Sequence, residues 1–194
     1  MKNKAIIYIT FLSVLAFNSY AQSNGEKKGD KQYTKYAYID ATKTYERIAA
    51  KGYKSADMFL KLANAYYFNA ELAKAAKWYG ELFAMNTEVQ PEVYYRYAQC
   101  LKSTGDYKRA DEMMSKYKGF AVDTQKFKEH LNTIVPYNYE VKKLSKNASG
   151  DFGISFYEDK IVFASMRNTK NQLYKWNQKP YLDLYQATLS ADGA

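Results

Sequence analysis

Cysteine and histidine are nearly absent from this 194-residue chain, and each shortage removes a class of chemistry. Cys100 is the single cysteine, so no intrachain disulfide can form, and its place on an apolar helical stretch suits a small packed side chain better than a reactive thiol. His130 is the single histidine, which excludes a His-rich metal site and any triad that needs a second imidazole. Long hydrophobic runs are also scarce. One apolar stretch, Ala5 to Phe17, follows Lys2 and Lys4 and precedes Ser19-Tyr20-Ala21 and Gln22. A positive start, an apolar segment too short to span a bilayer and a small-x-small site predict a Sec signal peptide over residues 1–21. No later run is long enough to span, and a lipoprotein would need a cysteine at the cleavage point. The mature chain is therefore expected to be exported to the periplasm, with no transmembrane span after cleavage.

The remaining chemical signals are weak. Asp151-Phe152-Gly153 spells the metal-holding triplet of protein kinases, but no glycine-rich loop or HRD-type catalytic loop accompanies it. Asn147-Ala148-Ser149 fits the glycosylation pattern and reads as a turn. Asp111-Glu112 falls on a lysine-rich helix and reads as surface charge. No catalytic constellation, cofactor motif or metal set emerges, so a non-enzyme is expected. Losing Lys2 and Lys4 would take the formal net charge from +9 to +7. The cations are mostly lysines spread among Asp and Glu, a solvated surface that favours acidic envelope proteins as partners. Nucleic acid is a poor candidate despite the 21 tyrosines, because no compact basic and aromatic motif appears.

What the chain does have is a repeat. Ala41, Ala75 and Ala110 are each followed four residues later by a bulky residue, Tyr45, Tyr79 and Met114, so the pair recurs after 34 and then 35 residues. After a polar spacer over residues 22–30, helical periodicity sets in. Phe59, Leu62, Ala63 and Tyr66 share one helix face, and Leu72, Ala75, Tyr79 and Leu82 share the next. Ala63 and Ala75 are small where two antiparallel helices must approach. The following unit repeats this with Tyr94, Tyr97, Ala98 and Leu101, then Ala110 and Met114, joined through Gly105-Asp106-Tyr107. In the first unit, Tyr38, Ala41, Tyr45 and Ile48 fit a second helix, but Gly25 and Gly29 fall where a first helix should begin. That predicts either a short helix from about Lys31 to Tyr36 or a partial cap. Asp123 to Leu131 reads as a closing helix that covers the end of the stack.

These units resemble the tetratricopeptide repeat, whose period they share. The resemblance implies a helical-hairpin array over residues 31–135 with an open groove for another protein. In that family ligands lie along the first helix of each hairpin, which here implies a protein-binding groove of Leu60, Asn64, Tyr67, Phe68, Tyr95, Gln99 and Lys102. Asn64 matches the asparagine with which some relatives hold a peptide carboxylate, or else it caps or bridges neighbouring helices. Leu60 and Glu92 stand where those relatives place cations, which argues against a carboxylate clamp. Tyr67, Phe68 and Tyr95 are either groove anchors or packing residues.

Around Pro136 the period changes to alternation. Segments from Tyr139, Asp151, Lys160 and Leu182 read as four short strands, the size of one propeller blade. Their wording, with Asp151, Gly153 and Phe156, then Lys160 to Phe163 and Ser165, then Asp183-Leu184-Tyr185, is similar to the WD40-like repeats called PD40. The expected class is α + β: a tetratricopeptide array followed by an antiparallel β segment over 136–194, the first and incomplete blade of a propeller. Taken with the repeats, the chain resembles the N-terminal portion of a Bacteroidota OmpA-family envelope protein, truncated after one blade. That resemblance implies a non-catalytic, outer-membrane-associated interaction scaffold in envelope organisation, some relatives acting with type IX secretion and gliding machinery. Peptidoglycan would be reached only through a C-terminal domain absent from this chain. The alternative is a free-standing tetratricopeptide adaptor that binds an exported peptide or precursor protein.

Overall fold

The computed structural model of the protein describes residues 24–134 and 150–188. The signal peptide expected over 1–21 and the strand expected from Tyr139 lie outside the described residues. The chain divides into two compact units, residues 1–128 and 129–194.

The first unit is built from helical hairpins. Helix α1 covers residues 24–34 and is followed by α2 (Tyr38–Ala49), α3 (Ala56–Phe68), α4 (Leu72–Ala84), α5 (Pro91–Ser103) and α6 (Tyr107–Lys118). Helix α7 (Thr124–Ile134) begins in this unit and crosses its boundary. The repeating small and bulky positions form the core: Ala41, Tyr45, Ala63, Ala75, Tyr79, Ala98 and Ala110 have no exposed surface. Ser55 caps α3 by accepting from the Met58 amide, and Asp106 caps α6 by accepting from the Arg109 amide.

All three hairpins turn in the same way. Tyr36, Ala70 and Gly105 follow α1, α3 and α5 with φ of 55°, 58° and 82°. In each case the next amide reaches back to close the helix: Ala37 to the Gln32 carbonyl, Glu71 to Tyr66, and Asp106 to Leu101. This is the Schellman arrangement, which favours glycine at the left-handed position. Only the third hairpin places one there.

The structure corrects the reading of the first unit. Residues 24–30 are helical, where the sequence suggested a polar spacer and a helix starting near Lys31. Gly25 and Gly29 lie one turn apart on the α1 face that meets α2. A Cβ at Gly29 would lie 2.3 Å from Tyr45 Cε1, and one at Gly25 would lie 2.6 Å from Ile48 Cγ2. The glycines are close-approach positions, and the packing they permit outweighs their weak helix propensity. Helix α7 also departs from expectation. Its start is anchored by Asp111, which accepts from the Thr124 amide at 2.8 Å and from the Thr124 hydroxyl. Phe127 nonetheless stays 61% exposed, so this helix does not seal the stack.

The second unit holds an antiparallel three-stranded sheet in the order β1 (Asp151–Tyr157), β2 (Lys160–Ser165), β3 (Asp183–Thr188). Gly153 carries the irregularity that shifts the β1–β2 pairing between Phe152 and Ser155. Arg167 fastens one face: its guanidinium lies over the rings of Phe163 and Tyr185, bonds Ser165 Oγ at 3.0 Å and pairs with Asp151 at 2.9 Å. Among the described residues, no helix is long and apolar enough to cross a membrane.

Candidate protein-binding site

The first helices α1, α3 and α5 carry a polar residue at one equivalent point of the repeat: Asp30, Asn64 and Gln99. On the first two rungs the acceptor is filled from two directions. Tyr45 of α2 donates its hydroxyl to Asp30 Oδ1 at 2.7 Å, and Lys61 of α3 reaches the same oxygen at 2.9 Å. One repeat later, Tyr79 of α4 donates to Asn64 Oδ1 at 2.6 Å, and Arg96 of α5 donates to it at 3.0 Å. Each rung therefore ties a first helix to its own second helix and to the first helix of the next hairpin.

The pattern stops at the third rung. The residue equivalent to Tyr45 and Tyr79 is Met114, which has no hydroxyl to offer. Gln99 turns instead along the helix face, accepting from the Tyr67 hydroxyl at 2.6 Å and donating to the Tyr95 hydroxyl at 2.6 Å.

Burial fixes the protonation of the ladder. It drives the Tyr79 hydroxyl far above its ordinary value of 10.0, and it does the same for Tyr45, where the Asp30 carboxylate adds to the effect. For Lys61, burial alone would lower the ammonium, but hydrogen bonds to Asp57 and Asp30 outweigh it and raise it. These donors keep their protons at physiological pH, so the ladder is fully bonded there.

An aromatic shelf adjoins the ladder. Phe68, 42% exposed, stacks on Tyr38 and meets Tyr67 edge-on. The Arg96 guanidinium lies 5.1 Å above the Phe68 ring and 5.9 Å from that of Tyr67. Tyr36, two-thirds exposed at the α1–α2 turn, extends the shelf through Tyr38.

The structure brings Tyr67, Gln99 and Tyr95 together in one hydrogen-bonded chain and sets Phe68 beside it. Asn64 bridges three helices, and Leu60 packs against the core. Lys102 is half-buried and lines a cavity with Tyr95. Sequence reasoning missed Arg96, Lys61, Asp30 and Tyr38. A signal for the first pair was present: Lys61 and Arg96 stand 35 residues apart, the same offset that relates Leu60 to Tyr95 and Asn64 to Gln99.

No protein-family model and no curated protein matches the chain. Solved structures do overlap it. PcrH in complex with the chaperone binding region of PopB aligns at 21% identity and a TM-score of 0.41, covering 51% of this chain and 79% of PcrH. The Yersinia enterocolitica type III secretion chaperone SycD, in complex with a peptide of the translocator YopD, aligns at 19% identity and a TM-score of 0.42, covering 57% of this chain and 84% of SycD. A likeness at this identity and score says nothing of what this chain binds.

Its own residues set what the face can do. Among the described residues, no cluster of three His, Cys, Asp or Glu side chains could hold a metal. Half-buried hydroxyls and amides, held in place by one another and flanked by exposed rings, suit an extended backbone whose side chains lie against aromatic surface.

Proposed function

We propose that the helical unit is a non-catalytic adaptor that takes an extended segment of a partner protein along the face of α1, α3 and α5. The observation that carries this reading is the Tyr67–Gln99–Tyr95 chain beside the exposed Phe68. Those groups are ordered before a partner arrives, so less entropy is lost when it binds.

Of the two functions read from the sequence, the adaptor for an exported peptide or precursor is the one this face favours. The finer reading is an outer-membrane-associated scaffold of the OmpA family in the periplasm, with envelope proteins as partners. It rests on the leader-like residues 1–21 and on the strand motifs from Asp151 to Tyr185, and it is compatible with the same face.

The test is an array of overlapping peptides from exported proteins, probed with the full chain. Captured segments should be lost with the pair Tyr67→Phe and Phe68→Ala while the melting temperature stays close to that of the parent. Capture that survives both substitutions would rule this face out.

A further inference from the structure

At the third rung, where the repeat substitutes Met114 for tyrosine, a cavity of about 450 Å³ opens between α5, the end of α6 and the start of α7. Its apolar wall is formed by Tyr95, Met114, Phe120, Val122 and Phe127. The wall is set in place: Val122 donates its amide to Ser115 Oγ at 2.9 Å, Asp111 holds Thr124, and Tyr95 packs on Tyr117. Phe120, in the connection after α6, and Phe127, on the first turn of α7, are both about three-fifths exposed.

Charge selects the occupant. Lys102 and Lys118 stand at the cavity and form no ion pair among the described residues. The one carboxylate lining it, Asp123, faces Lys126 at 3.8 Å. The nearby Asp111 is engaged with Thr124. The rim is thus net positive around an apolar floor.

Resting on the adaptor reading, we infer that this cavity is a socket for one aromatic or large aliphatic side chain of the partner, flanked in the partner's sequence by Asp or Glu. The floor takes the apolar group, and Lys102 and Lys118 meet the flanking carboxylates. At the first two rungs the equivalent residues, Tyr45 and Tyr79, are fully buried and spend their hydroxyls on Asp30 and Asn64.

The probe is a short acidic peptide with a central photoreactive phenylalanine analogue, titrated against the full chain. Binding should weaken with added salt, and crosslinks should fall within residues 114–127. The double charge reversal Lys102→Glu and Lys118→Glu should weaken it roughly tenfold or more, since two attractive contacts become repulsive. Met114→Tyr, which writes the residue of the other rungs into this one, should abolish the 114–127 crosslinks. If that variant does not fold, the charge reversal decides alone. Crosslinks confined to Tyr67 and Phe68, or affinity unchanged by charge reversal, would overturn the socket and leave the wider face intact. A peptide bound nowhere also overturns it, and the fate of the adaptor reading is then decided by the peptide array.

Discussion

Tyr79 on α4 donates its hydroxyl to Asn64 on α3 at 2.6 Å in the middle of the helical unit, and Arg96 reaches the same oxygen from α5. Removing the acceptor leaves a buried hydroxyl and a half-buried guanidinium without their partner. Asn64→Ala is therefore expected to cost about 1–3 kcal/mol of stability. Tyr67→Phe, which breaks a bond at the half-exposed face, should cost about 1 kcal/mol or less. Urea titrations of the two variants that give equal losses would refute this division between packing and binding residues.

Gly29 stands against Tyr45, with no room for a methyl group between them. Gly29→Ala must push α1 away from α2 or turn the Tyr45 ring, and should destabilise the helical unit by about 1–3 kcal/mol. The exposed Gly52 turn, where a Cβ would meet nothing, lacks that clash, although its φ of 88° still favours glycine. An unchanged melting curve for Gly29→Ala would mean that α1 is not packed on α2.

The left-handed positions predict a gain. Ala70 adopts a φ of 58° that glycine adopts freely, and it is exposed. Ala70→Gly should raise stability by about 0.5–1 kcal/mol, the relief of left-handed strain outweighing the entropy added to the unfolded chain. A lower melting temperature for this variant would contradict the turn geometry.

Alkaline pH should unfold the helical unit. Burial pushes the Cys100 thiol up to about 12 from its ordinary 9.0, and it raises Tyr45 and Tyr79 far above 10.0. The folded state then holds these protons more tightly than the unfolded chain does. Their contribution is complete below the unfolded values of 9.0 and 10.0 and is lost as pH climbs above them toward the folded values. Denaturant midpoints should fall steadily above about pH 9. In the same protein, Cys100 should resist alkylation near pH 8 until denaturant is added. Rapid native labelling would place the thiol at the surface.

The hairpin array was legible because its signals are local: an alanine and a bulky residue one turn apart, repeated at nearly fixed spacing, can place a helix face without knowledge of its neighbours. Gly25 and Gly29 misled for the opposite reason. Glycine marks both chain breaks and close helix contacts, and only the ring of Tyr45 distinguishes them. The ladder was hidden because each rung joins residues on three helices. Asn64, Gln99, Tyr67 and Tyr95 stand out in the sequence as separate positions, while Lys61 and Arg96 share the repeat offset but reveal their acceptors only once the helices are side by side. The cavity at Met114 was equally hidden, since its lining is drawn from α5, the end of α6, the turn after it and the start of α7.

The bonds from Lys61 to Asp30 and from Arg96 to Asn64 link successive first helices through long side chains. An extended chain turns successive side chains to opposite sides and rises about 3.3 Å per residue. A segment laid across α1, α3 and α5, as proposed, would therefore present every second side chain to the face. On that reading the register of the partner matters, because a shift of one residue would turn every facing side chain away.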